Sequence, residues 1–337
     1  MTATKTLAIV ELEGLVARAF ERSNVSATNA LSVARALVLA QIDGQHGHGL
    51  VRVASYAAQA RIGKVDGHAM PTAEATRPGA LFIDAHSGFA YPALDLALER
   101  LPAMARSAGI AAAGITRSHH FGVAGHAVER LAAAGLIGLI AGNTPKAMAA
   151  AGGTRALLGT NPIAFAAPRG AQPPIVIDMA LSEVARSRIV AAAEAGKPIP
   201  LGWAVDSDGR PTTNAKAALA GTLLPIGGAK GAALALMVET LAVALTGARF
   251  GFEASSFLDD KGSPPGVGQF LLAIDPAAFA GADQFAARMA ALAAQIEDGS
   301  GARLPGQQRF ALRQIAARAG VIVEEKLLAR IRVLAGA

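Results

Sequence analysis

Histidine side chains are concentrated in two short stretches of the sequence, one of them rich in glycine. They are His46, His48, His119, His120 and His126. A histidine titrates near neutral pH and can give a proton to a reacting oxygen or nitrogen. His48 stands between two glycines, so its neighbours in the chain shield it little. We interpret His48 as a candidate proton donor. The alternatives are a metal-binding pair with His46, which we do not expect, and a loop histidine with a purely structural hydrogen bond.

An arginine four residues after His48 predicts a carboxylate ligand. A guanidinium binds a carboxylate through two parallel hydrogen bonds, which a lysine cannot do. If a helix resumes after Gly49, Arg52 and Tyr56 fall on one face of it. Proton donor, carboxylate clamp and phenol then project into one place, and we expect His48, Arg52 and Tyr56 to be catalytic.

Four further segments place polar groups where the chain changes direction. They are 118–122, 159–162, 178–180 and 303–309. The first is a strand-to-helix turn whose backbone N–H groups can hold a phosphate or an amide, and the next two are strand edges, where polar groups can face a cleft. Arg303 and Arg309 in the fourth can present two guanidiniums to a phosphate. Ordinary helix capping by Ser118 and a solvated arginine turn are the competing interpretations.

The pattern of apolar residues predicts a mixed α/β chain. Short runs bounded by turn residues predict strands at 81–83, 110–115, 138–141, 163–165, 175–177 and 270–274. Helical spacing predicts helices at 12–19, 31–40, 94–108, 123–134, 185–195, 230–245, 285–294 and 313–335. Several strands follow one another with only turns between them, which favours a mixed, mostly antiparallel sheet.

Neither of the common nucleotide-binding motifs, G-x-G-x-x-G and G-x-x-x-x-G-K-[ST], occurs in the sequence. The fold is therefore expected to be neither a Rossmann fold nor a P-loop fold. We predict a helical N-terminal part at 1–117, a middle, cofactor-binding domain with the mixed sheet at 118–298, and a C-terminal segment at 299–337 that returns to the first part.

Composition excludes several classes of protein. The chain has 337 residues, of which 52% are hydrophobic, but its longest apolar stretch, 232–245, contains Glu239 and is shorter than the ~20 residues that a membrane span needs. The net charge of +6 comes from scattered basic residues, and aromatic residues make up only 4%, unlike nucleic-acid-binding surfaces. Without cysteine or a signal-peptide pattern, we expect a cytoplasmic protein that binds small anionic molecules rather than nucleic acid or membrane.

At its polar segments the sequence resembles the malate/L-lactate dehydrogenase family of the second type, also called the sulfolactate dehydrogenase-like family. The likeness runs from about residue 43 to residue 309. Four motifs carry it in order: the H-G-x-x-R-x-x-x-Y run at 48–56, then 118–122, 159–165 and 177–180. Two further stretches, 228–239 and 251–269, resemble the branch that reduces Δ1-piperideine-2-carboxylate and Δ1-pyrroline-2-carboxylate.

The resemblance implies a homodimer that binds NADPH, with NADH as the alternative, on a mostly antiparallel sheet. It implies that His48 donates a proton and that Arg52 holds the substrate carboxylate. It also places Asp178, Met179 and Ala180 at the edge of the substrate pocket, with Asp178 as a further catalytic group. The residues that it implies for the cofactor are His120, Phe121, Gly122, Val123, Ala124, Thr160, Arg186, Ser187, Lys230, Gly231, Arg303 and Arg309. We add Arg188 to them because an arginine beside these residues can bind a phosphate.

The sequence departs from the imine-reducing branch at two positions. Where that branch has a serine before the histidine and a carboxylate that completes a relay, this chain has Gly47 and Arg188. An imidazole without its orienting acid has a less favoured charged form, so the relay moves to another acid such as Asp178, or Arg188 binds the 2′-phosphate of NADPH. We expect a reductase that forms L-proline or L-pipecolate from a cyclic imine. The alternatives are a 2-hydroxyacid dehydrogenase acting on malate, lactate or a relative, and a metabolite-binding protein that has lost catalysis.

Overall fold

The computed structural model of the chain describes residues 3–337. The helices are α1 (Ile9–Glu21), α2 (Ala27–Ile42), α3 (Val53–Arg61), α4 (Ala90–Ala108), α5 (Ala124–Ala133), α6 (Arg186–Glu194), α7 (Ala215–Ala220), α8 (Ala229–Glu239), α9 (Ala282–Ile296), α10 (Gln307–Ala319) and α11 (Glu325–Ala335). The strands are β1 (Thr4–Leu7), β2 (Thr72–Arg77), β3 (Ala80–Asp84), β4 (Ile110–Ser118), β5 (Ile137–Gly142), β6 (Met148–Ala149), β7 (Ala156–Leu158), β8 (Ile163–Arg169), β9 (Gln172–Met179), β10 (Ala204–Val205), β11 (Thr222–Leu223), β12 (Val267–Ile274) and β13 (Val321–Glu324). Within these described residues, no helix has the length and apolar character that crossing a membrane requires.

A seven-stranded sheet in the order β2-β3-β4-β12-β5-β8-β9 contains all six strands predicted from the sequence. In this sheet β3 and β4 run parallel, and every other neighbouring pair is antiparallel. Side chains alternate between the two faces of a strand, and the sheet packs with α4 and α5 over a core that includes Ile83, Ile115, Leu131, Ile140 and Leu271. The predicted mixed, mostly antiparallel and non-Rossmann sheet is confirmed.

A second sheet, of four short strands in the order β10-β11-β6-β7, belongs to a separate core with α6, α7 and α8. Its buried side chains include Met148, Leu181, Ile189, Leu223 and Val238. Because Ile189 lies in the first turn of α6, this core fixes the start of that helix, which reaches the candidate site.

The first and last parts of the chain share a third core. β1 pairs antiparallel with β13, and α11 packs on α1. The buried side chains of this core include Phe20, Leu37, Tyr56, Leu328 and Ile331. The predicted continuous helix over 313–335 is wrong in its middle. Gly320, with a φ of 83°, ends α10, and the β-branched run after it pairs with β1 instead.

The predicted boundary between residues 117 and 118 falls at the end of β4, inside the seven-stranded sheet. That sheet draws strands from both sides of the boundary, and residues 299–337 return to the first part through β13 and α11. The division into 1–117, 118–298 and 299–337 stays a prediction about which parts fold together.

A largely buried ionic cluster joins the three parts of the chain. Asp43, at the end of α2, accepts hydrogen bonds from Nε of Arg313 at 2.7 Å and from Nε2 of His126 at 2.9 Å. Arg313 also pairs with Glu129 of α5. Burial opposes the charge of Asp43, but the hydrogen bonds from His126 and Arg313 outweigh it and lower the pKa of this carboxyl. Because Asp43 lies just before the histidine-rich turn, the cluster fixes the start of that turn.

We expect Arg313→Met to lower the free energy of unfolding by about 3 kcal/mol, because it leaves a buried carboxylate without its cation. Urea unfolding at neutral pH measures the change. Arg318→Met, at an exposed position of the same helix, is the matched control and should change stability by less than about 0.5 kcal/mol. Equal losses in the two variants would contradict the role given to the cluster.

Candidate functional site

Four of the sequence motifs and the start of α6 meet at one cavity of about 440 Å³. The predicted residues that line it are His48, Arg52, His120, Phe121, Gly122, Val123, Ala124, Thr160, Asp178, Met179, Ala180, Arg186 and Ser187. The predicted residues that do not line it are Tyr56, Arg188, Lys230, Gly231, Arg303 and Arg309. The fold thus brings the proposed proton donor, the carboxylate clamp and most of the proposed cofactor contacts to one place.

The turn that carries His48 is held tightly against α2. It is a single 3₁₀ turn, His46–His48, and Gly49 follows it. A Cβ at Gly49 would lie 2.9 Å from Oε1 of Gln41 and 3.0 Å from its backbone nitrogen. Glycine at this position therefore lets the turn approach α2 closely, which explains part of the glycine-rich sequence in physical terms.

The imidazole of His48 lies in a partly buried environment beside positive charge. It stacks on the imidazole of His120, with ring centroids 5.2 Å apart. Its Nδ1 atom is buried and has no hydrogen-bond partner among residues 3–337. Burial, with the charges of Arg52 and His126, lowers the pKa of His48 to about 4. The imidazole is therefore neutral at neutral pH.

Arg52 lies in a second 3₁₀ turn, Leu50–Arg52, directly before α3. Its Nε atom donates a hydrogen bond to the carbonyl oxygen of Gly47 at 2.7 Å. No carboxylate within residues 3–337 forms an ion pair with it. The two terminal nitrogens are left for a ligand, and a carboxylate matches their planar geometry.

Tyr56 belongs to α3 and faces the core, with none of its surface exposed. Its hydroxyl forms a short hydrogen bond with Nδ1 of His120. Burial raises the pKa of Tyr56 to about 12, and burial is also the main cause that lowers the pKa of His120 far below its usual value. The neutral phenol thus donates to Nδ1, which leaves the proton of His120 on Nε2. Tyr56 contacts His120 and not the cavity.

Asp178 lies near the end of β9 and accepts a hydrogen bond at Oδ2 from the backbone nitrogen of Gly125, at 2.9 Å. Nη2 of Arg309 stands 3.9 Å from the same oxygen. A Cβ at Gly125 would lie 2.6 Å from Nη1 of Arg309, so glycine lets both side chains approach α5 without being displaced. Burial raises the pKa of Asp178, against the hydrogen bond from Gly125 and the charge of Arg309. Its carboxyl group therefore binds a proton more readily than an ordinary aspartate does.

The start of α6 separates three consecutive predicted residues. Arg186 and Ser187 line the cavity, whereas Arg188 is exposed outside it. Burial lowers the pKa of Arg186, and no described carboxylate forms an ion pair with this guanidinium. A Cβ at Gly47 would lie 3.2 Å from Oγ of Ser187. A serine hydroxyl therefore stands beside the turn of His48, although it comes from position 187.

Arg303 and Arg309 line a second cavity of about 460 Å³. Gln45 lines both cavities, so the two adjoin. The N-terminal turn of α10, entered through Gly306 at a φ of 86°, forms part of the second cavity. Nη1 of Arg309 is buried without a hydrogen-bond partner in the part of the chain that the structure describes. That nitrogen also lies 3.9 Å from a carboxylate oxygen of Glu129. Positive charge and backbone N–H groups at a helix N-terminus together suit an anion.

Lys230 and Gly231 lie in the first turn of α8 and line neither cavity. Lys230 is exposed. A Cβ at Gly231 would lie 2.1 Å from the carbonyl oxygen of Ile226. Close packing of α8 on its own entry loop therefore accounts for the glycine.

Several residues that line the cavity are missing from the residues predicted for the site, and among them are Thr144, Lys146 and Phe257. Oγ1 of Thr144 accepts a hydrogen bond from the backbone nitrogen of Thr160 at 2.9 Å, and Lys146 adds an exposed cation. The ring of Phe257 packs on His120, with centroids 5.1 Å apart. Thr144 and Lys146 could have been predicted from the sequence, because they lie in the polar loop after β5 and binding residues often lie at strand ends. Phe257 has no such local signal.

Comparison with known proteins identifies the family. The family described as malate/L-lactate dehydrogenase matches residues 7–332, and the chain belongs to it. The (2R)-3-sulfolactate dehydrogenase (NADP(+)) of Chromohalobacter salexigens is 48% identical over 311 residues, 92% of each chain. The Δ1-pyrroline-2-carboxylate/Δ1-piperideine-2-carboxylate reductase of Pseudomonas putida is 41% identical, with 100% of each chain covered. The crystal structure of Δ1-piperideine-2-carboxylate reductase from Pseudomonas syringae pv. tomato matches with a TM-score of 0.93 and 38% identity, covering 98% of this chain and 99% of that one. The family predicted from the motifs is confirmed, and the chain is an oxidoreductase.

Acid is expected to destabilise the fold through the buried His119. Burial, with the charges of Lys64 and Arg52, lowers the pKa of His119 to about 3, whereas an unfolded chain has a histidine pKa of about 6.5. Between these values the unfolded chain binds a proton that the folded chain does not. The free energy of unfolding therefore falls as the pH is lowered from about 7 towards 4.

Urea unfolding at several pH values measures this slope. His119→Gln cannot titrate and should show a shallower fall than the wild-type protein, whereas His68→Gln, at an exposed position, should keep the wild-type slope. A slope unchanged by His119→Gln would contradict the buried, neutral state of this imidazole.

Proposed function

We propose that this chain reduces the C=N bond of a small cyclic imino acid, Δ1-pyrroline-2-carboxylate or Δ1-piperideine-2-carboxylate, with NADPH, and forms L-proline or L-pipecolate. NADH is the alternative cofactor. The observation that carries the proposal is the unpaired guanidinium of Arg52 beside the imidazole of His48 in one cavity. The reductase names of relatives such as the Pseudomonas putida enzyme support the substrate class. A homodimer and a cytoplasmic location are part of the same proposal.

The two adjoining cavities suit a dinucleotide. Together they are lined by cationic donors, Arg186 in the first and Arg303 and Arg309 in the second, of which Arg186 and Arg303 form no ion pair within residues 3–337. Guanidiniums bind phosphates well. Nη1 of Arg309 makes no hydrogen bond within the described residues, although a carboxylate oxygen of Glu129 lies 3.9 Å from it. The residues that would hold the nicotinamide end are 120–124 and Thr160. When bound, the nicotinamide supplies the hydride; the protein supplies binding, orientation and electrostatics.

Arg52 and His48 would orient the substrate and handle its proton. Arg52 would hold the carboxylate through its two terminal nitrogens and so fix the orientation of the adjacent C=N bond. The positive charge of Arg52 is one of the causes that lower the pKa of His48. A bound carboxylate offsets that charge, so substrate binding favours a proton on His48, which can then pass to the ring nitrogen.

A second candidate function is an NADP-dependent 2-hydroxyacid dehydrogenase. The relative named (2R)-3-sulfolactate dehydrogenase (NADP(+)) is 48% identical to this chain. Arg186 and Lys146 add two cations to the cavity besides Arg52, which suits a substrate with two acid groups. A third possible function is binding of NADPH without turnover. It follows from Gly47 and Arg188, which occupy the positions where the imine-reducing branch has the serine and the carboxylate of its relay.

Oxidation of NADPH, followed at 340 nm as a generic absorbance assay, separates these functions. We expect Δ1-pyrroline-2-carboxylate or Δ1-piperideine-2-carboxylate to be reduced with a kcat/KM at least about tenfold above that for pyruvate, oxaloacetate or 3-sulfopyruvate. A preference for a 2-oxo acid would support the second function. NADPH binding by fluorescence without turnover of any of these compounds would support the third.

Arg52→Lys is expected to raise KM for the substrate by about 10- to 100-fold, because paired hydrogen bonds to a charged carboxylate are lost while the positive charge stays. Steady-state kinetics and the Kd for NADPH are measured together. Arg61→Lys, at an exposed position near the end of the following helix, is the control and should leave KM unchanged. An unchanged KM in Arg52→Lys would count against the clamp.

A further inference from the structure

A lysine with no exposed side-chain surface lies just after α3, at Lys64. Its Nζ donates hydrogen bonds to the carbonyl oxygens of Ser256 at 2.8 Å, Asp259 at 2.9 Å and Lys261. The partly exposed carboxylate of Asp259 lies 3.3 Å away. All of these partners belong to one loop, which we call the wall loop, residues 254–261.

Burial of an ammonium group is costly unless its donors are satisfied. An ammonium has three N–H donors, and the wall loop offers three backbone carbonyls to Lys64. The group therefore acts as a bound cation around which the loop folds. Since the wall loop has no helix or strand of its own, these bonds are a main source of its order.

Gln59, near the end of α3, holds the same loop. Its Nε2 donates to the carbonyl oxygens of Phe257 at 3.0 Å and Asp259 at 2.9 Å. Its Oε1 is bonded to Nε2 of His119 at 2.7 Å. One short segment therefore begins with the carboxylate clamp, Arg52, and ends with the anchors of the wall loop.

The wall loop lines the candidate site. Ala254, Ser256, Phe257 and Leu258 line the same cavity as His48 and Arg52. The ring of Phe257 packs on His120, which stacks on His48. A shift of the loop would therefore change both the width of the cavity and the packing of its imidazoles.

We propose that Lys64 is a positioning residue that sets the ring size the site accepts, by fixing the wall loop relative to Arg52. The substrate part of this inference rests on the proposed function; the anchoring of the loop does not. Arg52 fixes one end of the substrate, and the anchored loop fixes how much room lies beyond it. Loss of the hydrogen bonds from Lys64 leaves Arg52 in place but allows the wall loop to move.

Trypsin tests the anchoring without any substrate, because the exposed Lys261 offers a cleavable bond at 261–262 within or beside the wall loop. Lys64→Met removes the ammonium with little change in side-chain length. We expect cleavage at this bond, followed by mass spectrometry, to be at least about tenfold faster than in wild type. Lys64→Arg keeps a charged donor and should restore most of the protection. Lys5→Met, at an exposed position, controls for the loss of a lysine.

The ring-size role is tested by kcat/KM for the five- and six-membered cyclic imines. Lys64→Met should change the ratio of the two values by at least about threefold, while a merely structural defect would lower both equally. If Lys64→Met does not fold, Gln59→Met removes two other donors to the loop and takes its place in both assays. Equal cleavage rates in the folded variant and wild type would overturn the anchoring. Faster cleavage with an unchanged ratio would overturn the ring-size role alone.

If neither imine is a substrate, the proposed function fails while the cleavage result still decides the anchoring. The ratio is then measured on two 2-oxo acids of different size, pyruvate and oxaloacetate. An unchanged ratio there would overturn a specificity role for Lys64.

Discussion

One hydrogen bond ties Arg52, the proposed carboxylate clamp, to the turn that carries His48, the proposed proton donor. Nε of Arg52 is bound to the carbonyl oxygen of Gly47, in the turn that carries His48. A free arginine side chain samples many rotamers and loses that freedom when it binds a ligand. Because Arg52 is held by one nitrogen already, part of this entropy is lost on folding and not on binding. In the proposed function, a carboxylate on its other nitrogens would be held at a set place beside the imidazole, and such fixed orientation favours reaction.

Charge in the cavity follows from this constraint. Arg52 and Arg186 bring positive charge into a partly buried space, and His48 and His120 stay neutral there because burial lowers the pKa of both. Asp178 is the carboxylate that lines the cavity within residues 3–337, and burial raises its pKa. The positive charge of the cavity thus favours anions in general. Specificity among anions has to come from shape, and shape depends on the loop that carries Phe257.

What the sequence predicts depends on how far each residue lies from its partners. His48 and Arg52 are predicted together because they lie only four residues apart in the sequence. Lys64 and Gln59 carry no local signal, because their loop partners lie 192 to 200 positions later. Tyr56 shows a different limit. Its four-residue spacing from Arg52 predicts a shared helical face, but α3 begins only at residue 53, so the phenol turns into the core.

Helix patterns near the C-terminus show the same limit at the level of the fold. The apolar spacing over 313–335 fits one helix, and the short strand β13 becomes visible only when β1 is placed beside it. The sheet order was equally out of reach, although the individual strands were predicted. β12 lies between β4 and β5, although many residues of the chain separate it from both. The pattern of apolar residues in a strand indicates that a strand forms, but it does not indicate which distant strand pairs with it.

The two departures from the imine-reducing pattern have different consequences. At Gly47 a hydroxyl is still present near the turn, because Ser187 occupies the space. At Arg188 the side chain points to solvent and cannot replace a buried acid. Arg186, in contrast, lines the cavity and forms no ion pair within residues 3–337, so in the proposed function it is a cation that can influence substrate choice. If the proposed function holds, a ligand with one carboxylate would leave Arg186 to the cofactor phosphates, whereas a ligand with a second acid group would compete for it. Charge balance in the cavity would then couple the choice of substrate to the way in which the cofactor is held.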